Sequence, residues 1–477
     1  MAAILARIVP SAHARLLDKS HSSEYCFDIE VISRGPRGAA GTRQDDVSPE
    51  DNELMCLVEG DAPMGKIMRA HWMPVCMSEE IAERDGPPVR ARLLGEDLVA
   101  FRDSEGRVGV LAEACPHRGA SLFYGRNEEG GLRCLYHGWK FDTEGRVLDM
   151  ACEPNAERMC AGMRHLYYPV HEVGGFVWAW MGDPAEVAPF LTPAWAPTPD
   201  TRISIVKMHV ACNWAQVLEG SIDSAHSSSL HSTNIPAAEG VAGSTATGDT
   251  WARPTVDKAP RMEYELTDYG FRYVALRRPI VREETEVYVR MTIFVAPFTV
   301  LIPPNNQYHL SQMLVPMDDG NCMFYWVAWH ETKGIEQDEW RRFCAALPGI
   351  DLDADFRKLR NAGNNYMQDR EAMKHGDFTG IKGIPTQDMA MWESMGRIAD
   401  RTADKLGASD MAIIQFRKQM IAAAKKVRDG GPAIGATEPR TPPVSLRSYE
   451  GVIPKSLDWK TLDFEAFEAH RIRPEAA

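Results

Sequence analysis

The sequence predicts an α+β protein in two parts: a small all-β domain over residues 47–185, then a larger domain over 186–477 whose antiparallel sheet is covered by helices. Three observations carry this. Short alternating strands separated by Gly turns fill residues 66–184. A Pro-rich connector at 184–199 then gives way to longer alternating runs. Helical periodicity dominates only after those runs, over 353–374 and 409–428. At 477 residues the chain is long enough for about two or three domains with proper cores.

Composition removes whole classes of function. A formal net charge of −14 argues against nucleic acid or an anionic membrane as partner. No stretch approaches the roughly eighteen uninterrupted apolar residues of a membrane span. The ten cysteines are scattered rather than paired in a disulfide pattern, which suits a reducing compartment and a cytoplasmic location.

In chain order, residues 1–46 stand apart. Arg7 and Pro10 break any secretory apolar core, and 33–46 is rich in Gly, Arg and Asp with little to bury, so this segment is expected to be disordered. Order should begin at Ser48, a helix cap with Pro49 at the first helical position. Strands follow at 89–94, 97–102 and 108–112, the last leading into a loop that begins at Cys115, and Phe176 to Trp180 closes the small domain. In the larger part, strands are expected at 203–210, 262–266, 271–276, 287–295, 298–302, 309–315 and 322–329. Ile413, Phe416, Met420, Ala424 and Val427 share one helix face, with Gly430 beyond its end. From Pro432 onward the Pro-punctuated chain is expected to wrap the surface. No internal repeat is visible.

Two Cys–His pairs carry the strongest chemical signal. Cys115-Pro116-His117-Arg118-Gly119 and Cys134-Leu135-Tyr136-His137-Gly138-Trp139 each read as a tight loop, and sixteen residues separate His117 from Cys134. Two thiolates and two imidazoles suit zinc, or a [2Fe–2S] centre in which imidazoles replace two thiolates on one iron. Zinc fingers usually present Cys-Cys and His-His as separate pairs, whereas here each loop supplies one of each. That favours the second arrangement, with Cys115 and Cys134 on an inner iron and His117 and His137 on an outer one. A second candidate centre lies at 213–231, which holds Glu219, Asp223, His226 and His231. His226 and His231 would lie about 140° apart on an ideal helix, so they can share an ion only if the helix bends or ends between them. Ser227-Ser228-Ser229 makes such a break plausible. Two histidines and a carboxylate with open positions are the mark of non-haem Fe(II) oxygenases.

The first motif resembles the Rieske domain of ring-hydroxylating oxygenases. It lacks the extra cysteine that staples each cluster loop in respiratory Rieske proteins; Tyr136 stands at such a place. Further segments, among them Asn52-Glu53-Leu54-Met55-Cys56, Leu94-Gly95-Glu96-Asp97-Leu98, Ser227-Ser228-Ser229-Leu230-His231 and Ile302-Pro303-Pro304-Asn305, are similar to the phthalate dioxygenase family over about residues 48–430. The resemblance implies that His226 and His231 bind a mononuclear Fe(II), and that Asp369 in Asn364-Asn365-Tyr366-Met367-Gln368-Asp369 is the third ligand, with Glu371 as the alternative. It implies that Asp223 hydrogen-bonds His226 and reaches His137 of a neighbouring subunit as an electron path. It also implies O2 as co-substrate, a homotrimer or stacked trimers, and a separate NADH-dependent reductase carrying FMN and a plant-type [2Fe–2S] centre.

The reaction implied is cis-dihydroxylation of a carboxylated monocyclic aromatic, phthalate first. Arg290 shares a strand face with Tyr288, Thr292 and Phe294, opposite an aliphatic face, and Arg253 follows the histidines, so both are expected to grip substrate carboxylates. Two other readings share some of these residues. A pure electron-transfer protein would not need the second site. A Rieske monooxygenase or angular dioxygenase acting on an aryl ether, such as phenoxybenzoate or methoxybenzoate, would share every ligand.

Overall fold

Ser48 opens the described chain as a helix cap: its hydroxyl accepts the Asp51 N–H at 3.1 Å, and Pro49 begins helix α1 (Pro49–Cys56). The structure is a computed structural model that describes residues 47–196, 202–239, 245–247, 250–304, 308–436 and 440–461; the segment 1–46 expected to be disordered lies outside them. Helix α2 (Pro63–Arg69) follows and buries Met64, Ile67 and Met68.

Three small antiparallel sheets then build the frame for the Cys–His loops. Strands β1 (Trp72–Met77), β9 (Val170–Val173) and β10 (Phe176–Trp180) form one, in the order β1-β10-β9. Strands β2 (Val89–Leu93), β3 (Glu96–Arg102) and β4 (Val108–Ala112) form the second. The third is β5 (Arg126–Glu128), β6 (Gly131–Arg133), β7 (Trp139–Phe141) and β8 (Val147–Met150), with helix α3 (Ala156–Gly162) after it. Val99, Phe101, Leu111, Leu122, Leu132, Trp139, Phe141, Val147 and Met150 pack as a core of their own, and Cys115 and Cys134 are members of it. The two thiols are therefore anchored from below by apolar packing.

The larger sheet runs β11-β19-β18-β17-β16-β15-β14, built from β11 (Arg202–Val210), β14 (Arg261–Thr267), β15 (Gly270–Arg277), β16 (Glu286–Val295), β17 (Thr299–Ile302), β18 (His309–Asp318) and β19 (Asn321–His330). Each expected strand is present, extended by a residue or more at most ends. Helix α4 (Trp214–Ser221) and the ribbon β12 (Thr245–Thr247) with β13 (Thr250–Ala252) lie between β11 and β14 in sequence. Helices α5 (Gln337–Phe343), α6 (Arg370–Lys374), α7 (Ile384–Ser394) and α8 (Met411–Arg428) follow the sheet strands. The main hydrophobic core is continuous from α1 and α2 through β1 and β10 to the large sheet and α8, so the described residues form one compact unit.

Two expectations fail, the first for a local reason and the second for a long-range one. The helix expected over 353–374 is absent; a 3-10 stretch at Ala362–Met367 and the five-residue α6 stand in its place. Asn side chains compete with the helix there. Asn361 Oδ1 accepts the Gly363 N–H, Asn364 Oδ1 accepts the Asn361 N–H, and Asn365, Tyr366 and Met367 turn left-handed at φ 53°, 54° and 49°. The chain beyond Pro432 does not merely wrap the surface. It returns to the large sheet as β20 (Tyr449–Pro454), which pairs with Glu286–Met291 of β16 where β17 covers only Ile293–Val295. Strands β17 and β20 thus lie end to end along one side of β16, and Glu450 lands directly opposite Arg290.

Candidate metal centres and the arginine cavity

The two Cys–His loops are one turn built twice. Cys115 N–H donates to Ala120 O at 2.8 Å and Gly119 N–H to Cys115 O at 2.8 Å; Cys134 N–H donates to Trp139 O at 2.8 Å and Gly138 N–H to Cys134 O at 3.0 Å. In both, the glycine four residues after the cysteine takes a positive φ, 74° and 72°, which a side chain would resist. Only the histidine differs, falling two places after Cys115 and three after Cys134. The thiols are buried while the imidazoles are half-exposed, their ring centres 4.3 Å apart, and His117 stacks on Trp139 at 4.7 Å. Burial pushes the Cys115 thiol up to about 11, and the neighbouring Cys134 adds to this.

The donor set decides what the loops can hold. Among the described residues only His226, His231 and Asp388 bring three donor atoms within 4.8 Å of one another. The Cys–His quartet is therefore more widely spread than a single tetrahedral zinc requires, since bonds of about 2.0–2.3 Å would draw all donors together. Buried sulfurs below and imidazoles at the tip fit a two-iron cluster with unlike ends.

The second centre is assembled from two helices that touch. Asn213 caps α4 by accepting the Ala215 N–H at 3.0 Å, and α4 ends at Ser221, before the histidines. A Cβ on Gly220 would sit 2.0 Å from Trp392 Nε1, so only glycine lets α4 approach α7 this closely. Gln216 Nε2 ties the same contact by donating to Trp392 O at 3.1 Å and Gly396 O at 3.0 Å. Past the helix end, Asp223 Oδ1 accepts the Ala225 N–H at 2.8 Å and so turns the chain to present His226. The Nε2 atoms of His226 and His231 are then 3.2 Å apart, with Asp388 Oδ1 at 3.5 Å and 2.9 Å from them. The break in the helix expected at Ser227-Ser228-Ser229 comes slightly earlier, at Ser221, with the same result.

Proton accounting at this triad favours a cation. The other ring nitrogens are already engaged: His226 Nδ1 faces Asp223 Oδ2 at 3.4 Å, and His231 Nδ1 faces Gln387 Oε1 at 2.7 Å. With Nδ1 as donor on each ring, both Nε2 lone pairs converge on Asp388 Oδ1, a buried atom with no hydrogen-bond partner. Three acceptors facing one point repel unless a metal ion lies between them. Burial works against the charged form of Asp223, yet its bond to His226 holds the carboxyl below the usual range.

Asp369, expected as the third ligand, is not in this cluster. It is exposed and spends Oδ1 on the N-terminus of α6, accepting the Glu371 and Ala372 N–H groups at 2.9 Å each. Glu371 is exposed too and pairs with Lys374 at 2.7 Å. The structure brings Asp388 there instead, on a helix whose start is marked by Gly383 and Pro385. Those two residues were the available sequence signal for α7.

A small cavity of about 70 Å³ adjoins the triad, lined by Asp223, Arg253, Arg290, Thr292, Gln312 and Trp326 among others. A cavity of about 150 Å³ accepts benzene, so a substituted ring fits only once lining side chains give way. A larger apolar cavity of about 410 Å³ lies elsewhere, among Trp72, Trp178, Phe190 and Phe298, and contains none of the triad. Chemistry rather than size identifies the site.

The cavity's far wall is cationic. Arg253 is placed by Arg253 N–H donating to Pro236 O at 2.9 Å, which ties its strand to the segment after His231. It is buried, and its Nε and Nη2 have no partner among the described residues. Burial and the nearby Arg290 lower it from 12.5 to about 9. Arg290 is buried as well and reaches Glu450 at 2.9 Å, with Tyr288 Oη donating to the same carboxylate; burial opposes its charge, but Glu450 keeps it firmly protonated. Sequence reasoning missed Arg277, a buried guanidinium close to these two though not part of the cavity lining. It donates to Ser224 O at 2.8 Å, within the loop that carries Asp223 and His226, and burial lowers it to about 10.

A cluster frame of two Cys–His turns, followed by a sheet-and-helix unit holding a His–His–carboxylate triad, defines a Rieske-type non-haem iron oxygenase. A Rieske [2Fe-2S] domain profile matches residues 71–164, and one described as LigXa C-terminal domain like matches 179–476. The chain is 55% identical over 421 residues to the phthalate 4,5-dioxygenase oxygenase subunit of Pseudomonas putida, covering 88% of this chain and 95% of that one. It is 35% identical to the 3-chlorobenzoate-3,4-dioxygenase oxygenase subunit of Comamonas testosteroni, over 86% of this chain and 96% of that one. The chain belongs to the phthalate dioxygenase family of Rieske non-haem iron oxygenases, as an oxygenase subunit. A solved dicamba monooxygenase matches with TM-score 0.51 at 19% identity, covering 76% of this chain and 98% of that one, which speaks for the fold alone.

Enzymes of this family are oxidoreductases that use a Rieske cluster, a mononuclear iron and O2, and an oxygenase subunit of such a multicomponent system draws its electrons from a separate reductase. No helix among the described residues is long and apolar enough to cross a membrane.

Proposed function

We propose that this chain is the oxygenase component of a system that cis-dihydroxylates a benzene dicarboxylate, phthalate first. The observation that carries the reading is the pair of buried guanidiniums in the cavity wall: Arg290 is held by Glu450, whereas Nε and Nη2 of Arg253 have no partner among the described residues. Guanidinium groups bind carboxylates bidentately, so two of them on one wall beside the triad suit a ring that carries two carboxylates. Relatedness points the same way, since the 55% identical relative is named for phthalate 4,5-dioxygenation.

In this reading Cys115, His117, Cys134 and His137 hold the cluster, and His226, His231 and Asp388 hold the mononuclear iron. Iron bound at the triad supplies O2 activation with electrons from the cluster. The protein's own part is orientation. Arg253 and Arg290 hold the two carboxylates, Arg290 being stiffened by Glu450, and so decide which ring edge faces the triad. A displacement of about 1 Å at the reacting carbon can cost roughly a hundredfold in rate. Asp223, fixed on His226, bridges to a cluster histidine, His137, of a neighbouring subunit in a homotrimer. The reductase is NADH-dependent with FMN and a plant-type [2Fe–2S] centre, the location is cytoplasmic, and the chain divides into a cluster domain and a catalytic domain near residue 185.

The test is a substrate panel of phthalate, isophthalate, terephthalate, phenoxybenzoate and methoxybenzoate, given with reductase, NADH and O2 and read by mass spectrometry. A dihydrodiol from phthalate, with NADH use coupled to product, is the expected result. Exclusive ether cleavage or demethylation would overturn the reading in favour of an aryl-ether oxygenase.

A further inference from the structure

Asp223 accounts for one of the two triad histidines, and His231 has a counterpart of different chemistry. We infer that Gln387 is the positioning residue of His231: its side-chain amide fixes which nitrogen of that ring faces the metal site and holds the ring in place. The inference rests on the proposal that the triad binds iron.

The orientation of the amide follows from its neighbours. Gln387 Nε2 lies 2.8 Å from Ile381 O, 3.0 Å from Asn234 Oδ1 and 3.1 Å from Thr379 Oγ1. Ile381 O can only accept, so the NH2 end of the amide must point there. The carbonyl end, Oε1, is therefore the atom 2.7 Å from His231 Nδ1, and an acceptor at that place requires Nδ1 to carry the proton. Nε2 is left as a lone pair directed at Asp388 and His226. Both Gln387 and His231 are buried, so no solvent competes for this bond.

Adjacency in sequence adds a mechanical consequence. Gln387 and Asp388 are consecutive on α7, so one turn of helix supplies both the carboxylate of the triad and the brace of a histidine. The amide also joins three segments, reaching Asn234 three residues after His231, and Thr379 and Ile381 in the approach to α7. The two histidines consequently have unequal braces: an anionic carboxylate behind His226 and a neutral amide behind His231. A carboxylate at 387 would keep the acceptor for Nδ1–H but set an oxygen against Ile381 O, with no hydrogen between them.

The experiment compares parent, Gln387→Leu and Gln387→Glu as purified full-length holoenzyme. The cluster's visible spectrum reports folding, iron per chain and the rate of Fe(II) loss to a chelator report the triad, and the electron paramagnetic resonance of the ferrous nitrosyl adduct reports its geometry. Expected is an intact cluster in all three, Fe(II) loss faster by about 10–100-fold in Gln387→Leu with a changed nitrosyl signal, and retention much nearer the parent in Gln387→Glu. Parent-like retention and an unchanged signal in Gln387→Leu would overturn the inference. So would Gln387→Glu losing iron as fast as Gln387→Leu, because the amide would then matter as a structural tie rather than as the acceptor on His231. If Gln387→Leu yields no cluster-bearing protein, Gln387→Glu decides alone: retention near the parent supports the inference and loss faster by about tenfold or more overturns it. Failure of the iron reading itself is recognised separately, by a parent enzyme whose iron content is unchanged by His231→Ala.

Discussion

Replacing Arg253 by Met should make the free enzyme more stable and its substrate affinity much worse. Arg253 is buried, two of its nitrogens lack partners among the described residues, and the strongest charge acting on it is another arginine, Arg290. The drop from 12.5 to about 9 corresponds to at most about 5 kcal/mol at 1.36 kcal/mol per unit. The sign is fixed by linkage. A base held below its unfolded value costs stability in full below about pH 9, and the cost is relieved as pH rises from there toward 12.5. After solvent penetration and the smaller packing of Met, a net gain of about 2 kcal/mol at pH 7.5 is expected, or roughly 2–4 °C in apparent Tm. Phthalate at a hundredfold over its Kd should stabilise the parent by about 2.7 kcal/mol and the variant hardly at all, and KM should rise by two orders of magnitude or so. Thermal melts with and without phthalate, beside steady-state kinetics, measure both halves. A variant less stable than its parent, or one that keeps the phthalate-induced shift, would refute the reasoning that this guanidinium is stored for an anion.

Two further outcomes separate the triad from its surroundings. Asp388→Ala should leave the cluster spectrum intact and lose the mononuclear iron, whereas Asp369→Ala should keep both metals and give up only a helix cap worth about 1 kcal/mol locally; metal analysis of the two proteins side by side tests this. Asp223→Asn should hold both metals yet fail to pass an electron from reduced cluster to triad, and normal single-turnover kinetics in that variant would return Asp223 to a purely local role.

What the sequence disclosed and what it hid follow from the range of the interactions. The cluster loops were readable because every determinant of each turn, from cysteine to glycine, lies within five residues. The place of Arg290 beside Thr292 was readable because strand alternation is fixed by the pleat. His226 and His231 could be paired because the chain between them is short. Asp388 was hidden, since its position depends on Gly220 admitting Trp392 across 172 residues of chain. Asp369 was chosen in its place from a resemblance over a segment where Asn361 and Asn364 divert the backbone from the helix that the choice assumed. Strand β20 was hidden for the same reason as Asp388: Tyr449-Glu450-Gly451-Val452 reads as a strand only once the uncovered half of β16 is known.

That late strand gives the enzyme a timetable. On a ribosome adding about 5–20 residues per second, the cluster frame, the histidines and Arg290 all emerge while Glu450 is still unmade. Arg290 waits 160 residues for the carboxylate that will hold it, a delay of roughly 8–32 s. Through that interval Arg290 lacks the carboxylate that β20 later brings to it. The sheet closes along that side of β16, and Arg290 is held, only once nearly the whole chain has been made.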